Sequence, residues 1–509
     1  MSNDTILLSQ LRIPSSLISN ELEGLYGSEV LRELQSIIEL YKIYDKGAEF
    51  KTEGSNGDYT PSDLRYKEAR KLINREARFL FSKHPDIQVV VPYTTSREKE
   101  QANAIMTVYQ QYIDNVIDST QFYSKLVKAA RDCFIGKRVA YFINCDEENE
   151  RITIDFVPSL EFVYDVDPED TNRLTKLVTF YIVSDSANKT AQRIYKKRYR
   201  MENGICYLYE AIFDGTGQEI EVLTEDRATK FPYIPGGVIL NDGLTGDVDG
   251  ESEIALLAGY ESTYSKLANA DIDAERQGMN PVRWARDMDP TSTKNLSIAA
   301  GAFWDMNSDP NAPDGVTGEV GVLETTMGYT SAVNSTLGRI RSTMFEELDI
   351  PDTSAEALKG VVSSGKTLKA IYWPLIVRCD EKMLVWRPAL RNIFQTVIDC
   401  AKLYPRSAAK YLVSPLPDAD YTLEVENQYP IMEDEQEEKT IDLAEIAAQT
   451  MSKKSYMKKW RGLTDEEADQ ELKQIAAERE LLEDTFSMPP MTEPQEEQPE
   501  EELQEETEV

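Results

Sequence analysis

The sequence predicts an α+β fold, and three observations carry that reading. Apolar residues recur at helical spacing through the N-terminal part of the chain. The period then drops to two over several successive segments, and later two helical stretches bracket an insert rich in Gly, Pro and Asp.

The first helical run, SEVLRELQSIIELYKIY, sets Leu31, Leu34, Ile37, Ile38 and Tyr41 on one face, with Ser28 as its N-cap. DLRYKEARKLINREARFLFSK forms a second helix that ends at HPD and enters a short strand, IQVVVP. AIMTVYQQYIDNV and SKLVKAARDCFIG are further helices. RVAYFINC, ERITIDFVP, KLVTFYIV, QRIYKKRYR and GICYLYEAIF then read as strands, separated by polar turns such as CDEENE and FDGTGQ. ESEIALLAGYESTYSKLANADIDAERQGM repeats apolar residues at Ile254, Leu257, Tyr260, Tyr264 and Leu267, the spacing that packs helix on helix. Short strand-like pieces follow (PVRWARD, GAFWDM, GEVGVLE) around the turn SDPNAPDG. AVNSTLGRIRSTMFEEL is again helical, with Val333, Leu337, Ile340, Met344 and Leu348 on one face, so a small module is inserted between two helices. A long helix follows, with kinks expected at Pro374 and Pro388, then a strand, YTLEVEN, and helices carrying the basic patch KKSYMKKWRG.

A chain of 509 residues with 41% apolar content has ample material for a core. Its formal net charge of -35 argues against a static nucleic-acid binder, which gains affinity by releasing counterions from a basic surface. Part of that excess lies in residues 486–509, a Glu/Gln/Pro-rich tail without Lys or Arg that reads as disordered. Cys133, Cys145, Cys206, Cys379 and Cys400 show no C-x-x-C spacing and are odd in number, which suits a reducing cytoplasm. The start of the chain lacks a basic region ahead of its short apolar pieces, and no apolar run approaches the roughly 20 residues that span a bilayer.

GVVSSGKT, Gly360 to Thr367, spells the G-x-x-x-x-G-K-T pattern of a phosphate-cradling loop. That chemistry needs a strand delivering the chain into the loop and a helix after it. Here the helix follows, but DIPDTSAEALK contains no strand, and TVIDC, the one place for a magnesium-binding Asp at a strand end, lies inside the helical pattern. A flexible Gly/Ser loop ahead of a long helix is therefore expected, with a nucleotide hydrolase as the alternative. GDVDGES resembles a calcium loop but has Ser252 where the turn glycine belongs, so it reads as a helix-capping turn, and no metal or cofactor site is expected. His84, the sole histidine, is expected on a surface turn with no partner for a proton relay, and no catalytic residue is assigned. KKSYMKKWRG mixes basic and aromatic residues as single-strand binders do, but TDEEADQE follows it, and a salt-bridged helix pair is expected.

The order of these parts resembles the portal proteins, or head-to-tail connectors, of tailed double-stranded-DNA bacteriophages of siphovirus type. The likeness runs from about Ile37 to about Asp484. It rests on ARKLINREARFLFSKHPDIQVVVP, on FIGKRVAYFIN with DFVPSLEFVYDVDPED, and most specifically on IRSTMFEELDIPDTSAEALKGVVSSGKTLKA, which is similar to the family's stem helix, tunnel loop and following helix. The resemblance implies a portal fold: a mixed α/β wing (1–249), a two-helix stem (250–279 and 331–350) and a small α/β clip inserted between the stem helices (280–330). A tunnel loop (351–366), a long kinked helix with a wing strand (367–430), a helical crown (431–485) and the disordered acidic tail (486–509) complete it. It further implies a homo-oligomeric ring of about twelve copies with heterologous contacts. The ring would sit at one capsid vertex of the virion after assembly in the host cytoplasm, with no enzyme activity and no membrane. Its partners would be a terminase motor, a head-tail adaptor, and the major capsid and scaffolding proteins, with double-stranded DNA passing transiently through the channel. The rival function is a packaging enzyme that hydrolyses nucleotide at Gly360 to Thr367. By the resemblance, Lys359, Gly360, Ser363, Ser364, Gly365 and Lys366 are the DNA-facing candidates in the tunnel loop, and Arg339, Arg341 and Lys369 are candidates along the stem channel. Lys366 departs from the small or apolar residue common there. An acidic wall would keep a duplex centred, and sparse cations would touch its phosphates only briefly.

Overall fold

The computed structural model describes residues 13–21, 27–51, 60–171, 173–184, 192–243, 249–279, 282–289, 291, 307–311, 313, 316–323, 328–354, 365–431 and 435–485. The chain divides into two units, Met1–Val362 with Leu368–Ile431, and Ser363–Thr367 with Met432–Val509.

In the first unit the helical spacings fold as read. α1 (Ser15–Ser19), α2 (Gly27–Lys46) and α3 (Glu68–Phe81) precede β1 (Asp86–Val90), and α4 (Ser96–Thr120) and α5 (Phe122–Gly136) follow it. Ser28 lies inside α2 rather than capping it, since the helix begins at Gly27. α4 starts with a reciprocal cap: Glu98 N–H donates to Thr95 Oγ1 (3.3 Å) and Thr95 N–H to Glu98 Oε2 (3.1 Å). α3 buries Leu72, Ile73, Ala77, Leu80 and Phe81, and α5 buries Leu126, Ala129, Ala130, Cys133 and Phe134.

Strands β2 (Arg138–Asp146), β3 (Arg151–Pro158) and β9 (Gly236–Leu240) form one antiparallel sheet in the order β3-β2-β9. The meander β4 (Phe162–Val166), β5 (Leu174–Ser184), β6 (Gln192–Glu202), β7 (Ile205–Asp214) and β8 (Glu219–Ala228) forms another in sequential order. β8 and β9 are absent from the sequence reading, and β4 entered it only through the family resemblance of DFVPSLEFVYDVDPED. β8 is an edge strand with nearly every residue exposed, so it writes no alternation, and β9 opens with two glycines.

α6 (Glu253–Met279) leads to the antiparallel pair β10 (Val282–Arg286) and β11 (Glu319–Leu323), and α7 (Thr330–Glu347) returns. The Trp284 ring covers Gly321 so closely that an added Cβ would lie 2.5 Å from it. GAFWDM lies outside the described residues. α8 (Gly365–Leu403) continues through both Pro374 and Pro388, and buries Leu375, Cys379, Met383, Trp386, Leu390, Ile393, Phe394 and Val397 along one face. After α9 (Pro405–Ala408), β12 (Thr422–Glu426) pairs antiparallel with β1, placing Val425 opposite Ile87 and Leu423 opposite Val89. Cys145 and Cys400 are joined as a disulfide, contrary to the expectation of an unpaired set, because a pairing across 255 residues leaves no spacing signal. Cys133, Cys206 and Cys379 are free and buried.

α6 also carries a polar ladder that the apolar pattern hides. Asp273 accepts from Ser62 N–H (3.1 Å) and Ser62 Oγ (2.7 Å), and Asn269 bonds both backbone groups of Leu64 (2.8 and 2.7 Å). Ser265 Oγ accepts from Tyr66 N–H (3.2 Å) and Glu261 Oε2 from Ala69 N–H (3.3 Å). From Asp273 to Ser265, four residues of helix rise about 6 Å, close to the roughly 6.6 Å of two extended residues, so side chains one turn apart meet Ser62, Leu64 and Tyr66 in alternation, while the Glu261 contact falls in the first turn of α3. Helix side chains here replace a neighbouring strand.

The second unit consists, among the described residues, of α10 (Glu435–Ala447), α11 (Lys453–Arg461) and α12 (Asp465–Thr485). No helix among the described residues is long and apolar enough to cross a membrane.

Because Asn269 satisfies both Leu64 groups in a buried setting, Asn269→Leu should destabilise the chain by about 3 kcal/mol. Thermal unfolding should show the loss, together with faster amide exchange at Leu64 and Tyr66 that a general loosening of the meander would not reproduce.

Candidate functional site

α6 and α7 pack together, and the insert hangs between their far ends. Tyr260, near the start of α6, donates to Glu347 Oε1 at the end of α7 (2.8 Å), so the two helices run antiparallel. The turn into α6 is tightly specified. Gly250 has φ +69°, and an added Cβ would lie 2.5 Å from the Lys137 carbonyl. Ser252 Oγ caps the helix by accepting from Ala255 N–H (3.4 Å) and donates to the Ile135 carbonyl (2.7 Å). Asp249, from the segment that resembled a calcium loop, accepts from buried Arg138 (2.7 Å), which also grips Glu33 with both of its terminal nitrogens (2.9 and 3.1 Å).

At the base of this pair lies a buried charged quartet. Arg378 Nε donates to Glu76 Oε1 (2.9 Å) and its Nη2 to Glu253 Oε1 (3.1 Å). Lys382, one turn further along α8, donates to Glu253 and to Asn241 Oδ1 (2.9 Å) and stands 3.6 Å from Glu76. Burial, reinforced by the Glu253 carboxylate, pushes Glu76 up to about 8. Burial also opposes the charge on Glu253, but Lys382 and Arg378 outweigh it and hold that carboxyl low. Elsewhere burial raises Glu261 to about 7 and Asp132 to about 6. The cavity beside Arg378 and Lys382 measures about 40 Å³, far below the roughly 300 Å³ of a small-molecule site. The quartet ties α3, α6 and α8 together.

The cations read from the sequence fall in different settings. Arg339 is exposed on α7. Arg341 is also exposed, but its guanidinium lies over the Phe345 ring (5.6 Å) and 4.0 Å from Glu68. Lys369 is exposed on α8. Gly365 and Lys366 belong to the first turn of α8, while Lys359, Gly360, Ser363 and Ser364 lie outside the described residues. Leu348 to Ser354 form a turn and irregular chain with no strand. Asp399 of TVIDC sits within α8, where it accepts from Tyr233 Oη and from Gln395 Nε2 (3.2 Å). His84 is exposed and stacks on Tyr123 with ring centroids 4.0 Å apart. In α11 and α12, Lys458–Asp465 (3.0 Å), Lys454–Asp469 (2.9 Å) and Arg461–Glu471 (3.1 Å) make the expected salt-bridged helix pair.

The apolar spacing did not flag the quartet, although one signal was present. Lys382 lies on the same face of α8 as Cys379, Met383 and Trp386, where a charge requires a buried partner.

A helix pair carrying a small β insert, rooted by buried charges in an α+β body, defines a structural scaffold. The family model for the phage portal protein, SPP1 Gp6-like, matches residues 28–482, and the chain belongs to that family. Among solved structures, the chain is similar to one described as the virion of a native gene transfer agent particle. That match has 10% identity, covers 84% of this chain and 94% of the other, and has a TM-score of 0.39. A second, the neck of an empty particle of that kind computed with C6 symmetry, matches at 10% identity over 77% of this chain and 89% of the other, with a TM-score of 0.37. No curated protein matches the chain in sequence.

Lys382→Met would leave Glu76 and Glu253 with Arg378 alone, a loss of about 3 kcal/mol by the cost of breaking a buried pair. That loss should shrink at pH 5, where protonation removes the uncompensated charge. In the parent, Glu76, Glu261 and Asp132 titrate above the ordinary carboxylate range, so the folded state keeps protons that the unfolded chain releases. Their contribution is greatest at acid pH and disappears as pH rises to about 8. Thermal midpoints should therefore fall from pH 5 to pH 8.5 in the parent and fall more steeply in Lys382→Met.

Proposed function

We propose that this portal-family chain assembles into a ring of about twelve copies at one capsid vertex and serves as the conduit for genome packaging and ejection. The observation that carries this reading is the antiparallel pair α6–α7 with the β10–β11 module between them, in a chain of that family. On this reading residues 1–249 form the wing, α6 and α7 the stem, 280–330 the clip, 351–366 the tunnel loop and 431–485 the crown. The long helix and β12 return the chain to the wing. The clip would present the docking surface for the terminase motor and the head-tail adaptor, while the major capsid and scaffolding proteins would meet the outer ring.

Electrostatics supports passage rather than retention of DNA. Duplex DNA carries one charge per roughly 1.7 Å, so a strongly basic wall would hold it through many contacts. The most basic strand, KKRYR of β6, is neutralised internally. Lys196 pairs with Glu21, Lys197 with Glu210 (3.5 Å), Arg198 with Asp226 (3.1 Å) and Arg200 with Glu202 (3.1 Å). Arg339, Arg341 and Lys369, with Lys359 and Lys366, would then touch phosphates only transiently, and Gly360, Ser363 and Ser364 would let the loop ahead of α8 follow the grooves. We assign no enzymatic role. The strandless chain from Leu348 to Ser354 and the helical setting of Asp399 argue against nucleotide hydrolysis.

Negative-stain microscopy and native mass of the purified chain should reveal closed rings with an axial channel, and monomers at every concentration would overturn the reading. The same material should bind no ATP saturably, whereas saturable binding lost in Lys366→Ala would shift the assignment to a nucleotide-hydrolysing enzyme. In assembled heads, Ser363→Lys/Ser364→Lys should leave rings intact and shorten the nuclease-protected genome. Unchanged protection would remove this loop from the DNA path.

A further inference from the structure

Helix α10 has its polarity reversed. Its buried residue among those described is Asp442, whose Oδ2 accepts from Trp460 Nε1 (2.7 Å) and pairs with Lys459 (2.9 Å). Ile441 and Leu443, its neighbours in sequence, are each 52% exposed. Successive helical residues are turned by about 100°, so these apolar side chains point to opposite flanks of the residue that fixes the helix to its unit. Among the described residues of that unit the buried apolar ones are Met457 and Ala468, too few to explain why large aliphatics face water on both sides.

The two flanks also differ in charge. Ile446, half-buried, and Lys439, whose ammonium lies 4.9 Å from the Trp460 ring centre, share the Leu443 side, whereas exposed Glu445 lies on the Ile441 side. A two-fold dimer would cover one flank twice and leave the other wet. Head-to-tail stacking brings unlike flanks together and buries both aliphatics.

We propose that α10 is a lateral seam between copies of this chain, with the Ile441 flank of one copy packed on the Leu443 flank of the next. The seam rests on the ring reading above and adds which residues meet and in which sense.

The test uses the full chain, cysteine substitution and a short bismaleimide. Ile441→Cys/Leu443→Cys in one chain should cross-link into a ladder extending beyond the dimer. Each single variant should remain monomeric on a denaturing gel, and a mixture of the two singles should stop at dimers. In the wild type, amide exchange across Glu435–Ala447 should slow on assembly. A wild type that forms rings, with no ladder from the double variant or no slowing in α10, would overturn the seam and leave the ring reading intact. Dimers from either single variant would mean a two-fold contact and would also overturn it. A wild type that never leaves the monomer would remove both.

Discussion

Two carboxylates and two cations held away from water connect three helices distant in sequence, and the arrangement of the larger unit depends on them. Moving ions into a protein interior costs several kcal/mol each, so the quartet of Glu76, Glu253, Arg378 and Lys382 adds little to net stability when complete. Its force comes from asymmetry: displacing any member strands the others without solvent. Glu253 opens α6, Glu76 sits within α3, and the two cations lie one turn apart on α8. The direction in which α6 leaves the body is thereby set, and with it the position of everything that α6 carries.

The same economy of charge extends over the acidic chain. A net charge of -35 would produce strong self-repulsion if every carboxylate faced solvent. Instead, many carboxylates neutralise cations inside the fold, as Glu33 and Asp249 do for Arg138 and Glu21 for Lys196. Others are buried and hold a proton more tightly than they would in water. The surface is thus left acidic while its basic sequence runs are consumed by structure.

Periodicity made the apolar face of α8, the meander strands β5 to β7 and the paired helices α6 and α7 legible, because burial there follows spacing. It failed where burial is polar or absent. β8 has no inward face to write a pattern, and Glu261, Ser265, Asn269 and Asp273 resemble an ordinary solvated helix edge until the extended segment beside them is known. The capping role of Ser252 was readable because a side-chain cap is local in sequence. The anchor between α3, α6 and α8 was not, because its members are brought together only by the fold. Of the loop candidates, Gly365 and Lys366 enter a helix, and those before them lie outside the described residues.

The ladder between α6 and the segment at Ser62 to Tyr66 has a mechanical consequence. Its teeth are spaced by one helical turn against two extended residues, so the segment has no intermediate register in which half of the bonds survive. A pull along α6 would load the rungs together in shear instead of peeling them one after another. Movement along that axis must therefore be stepwise or not occur, and α6 acts as a stiff strut braced along its length against thrust directed down the helix.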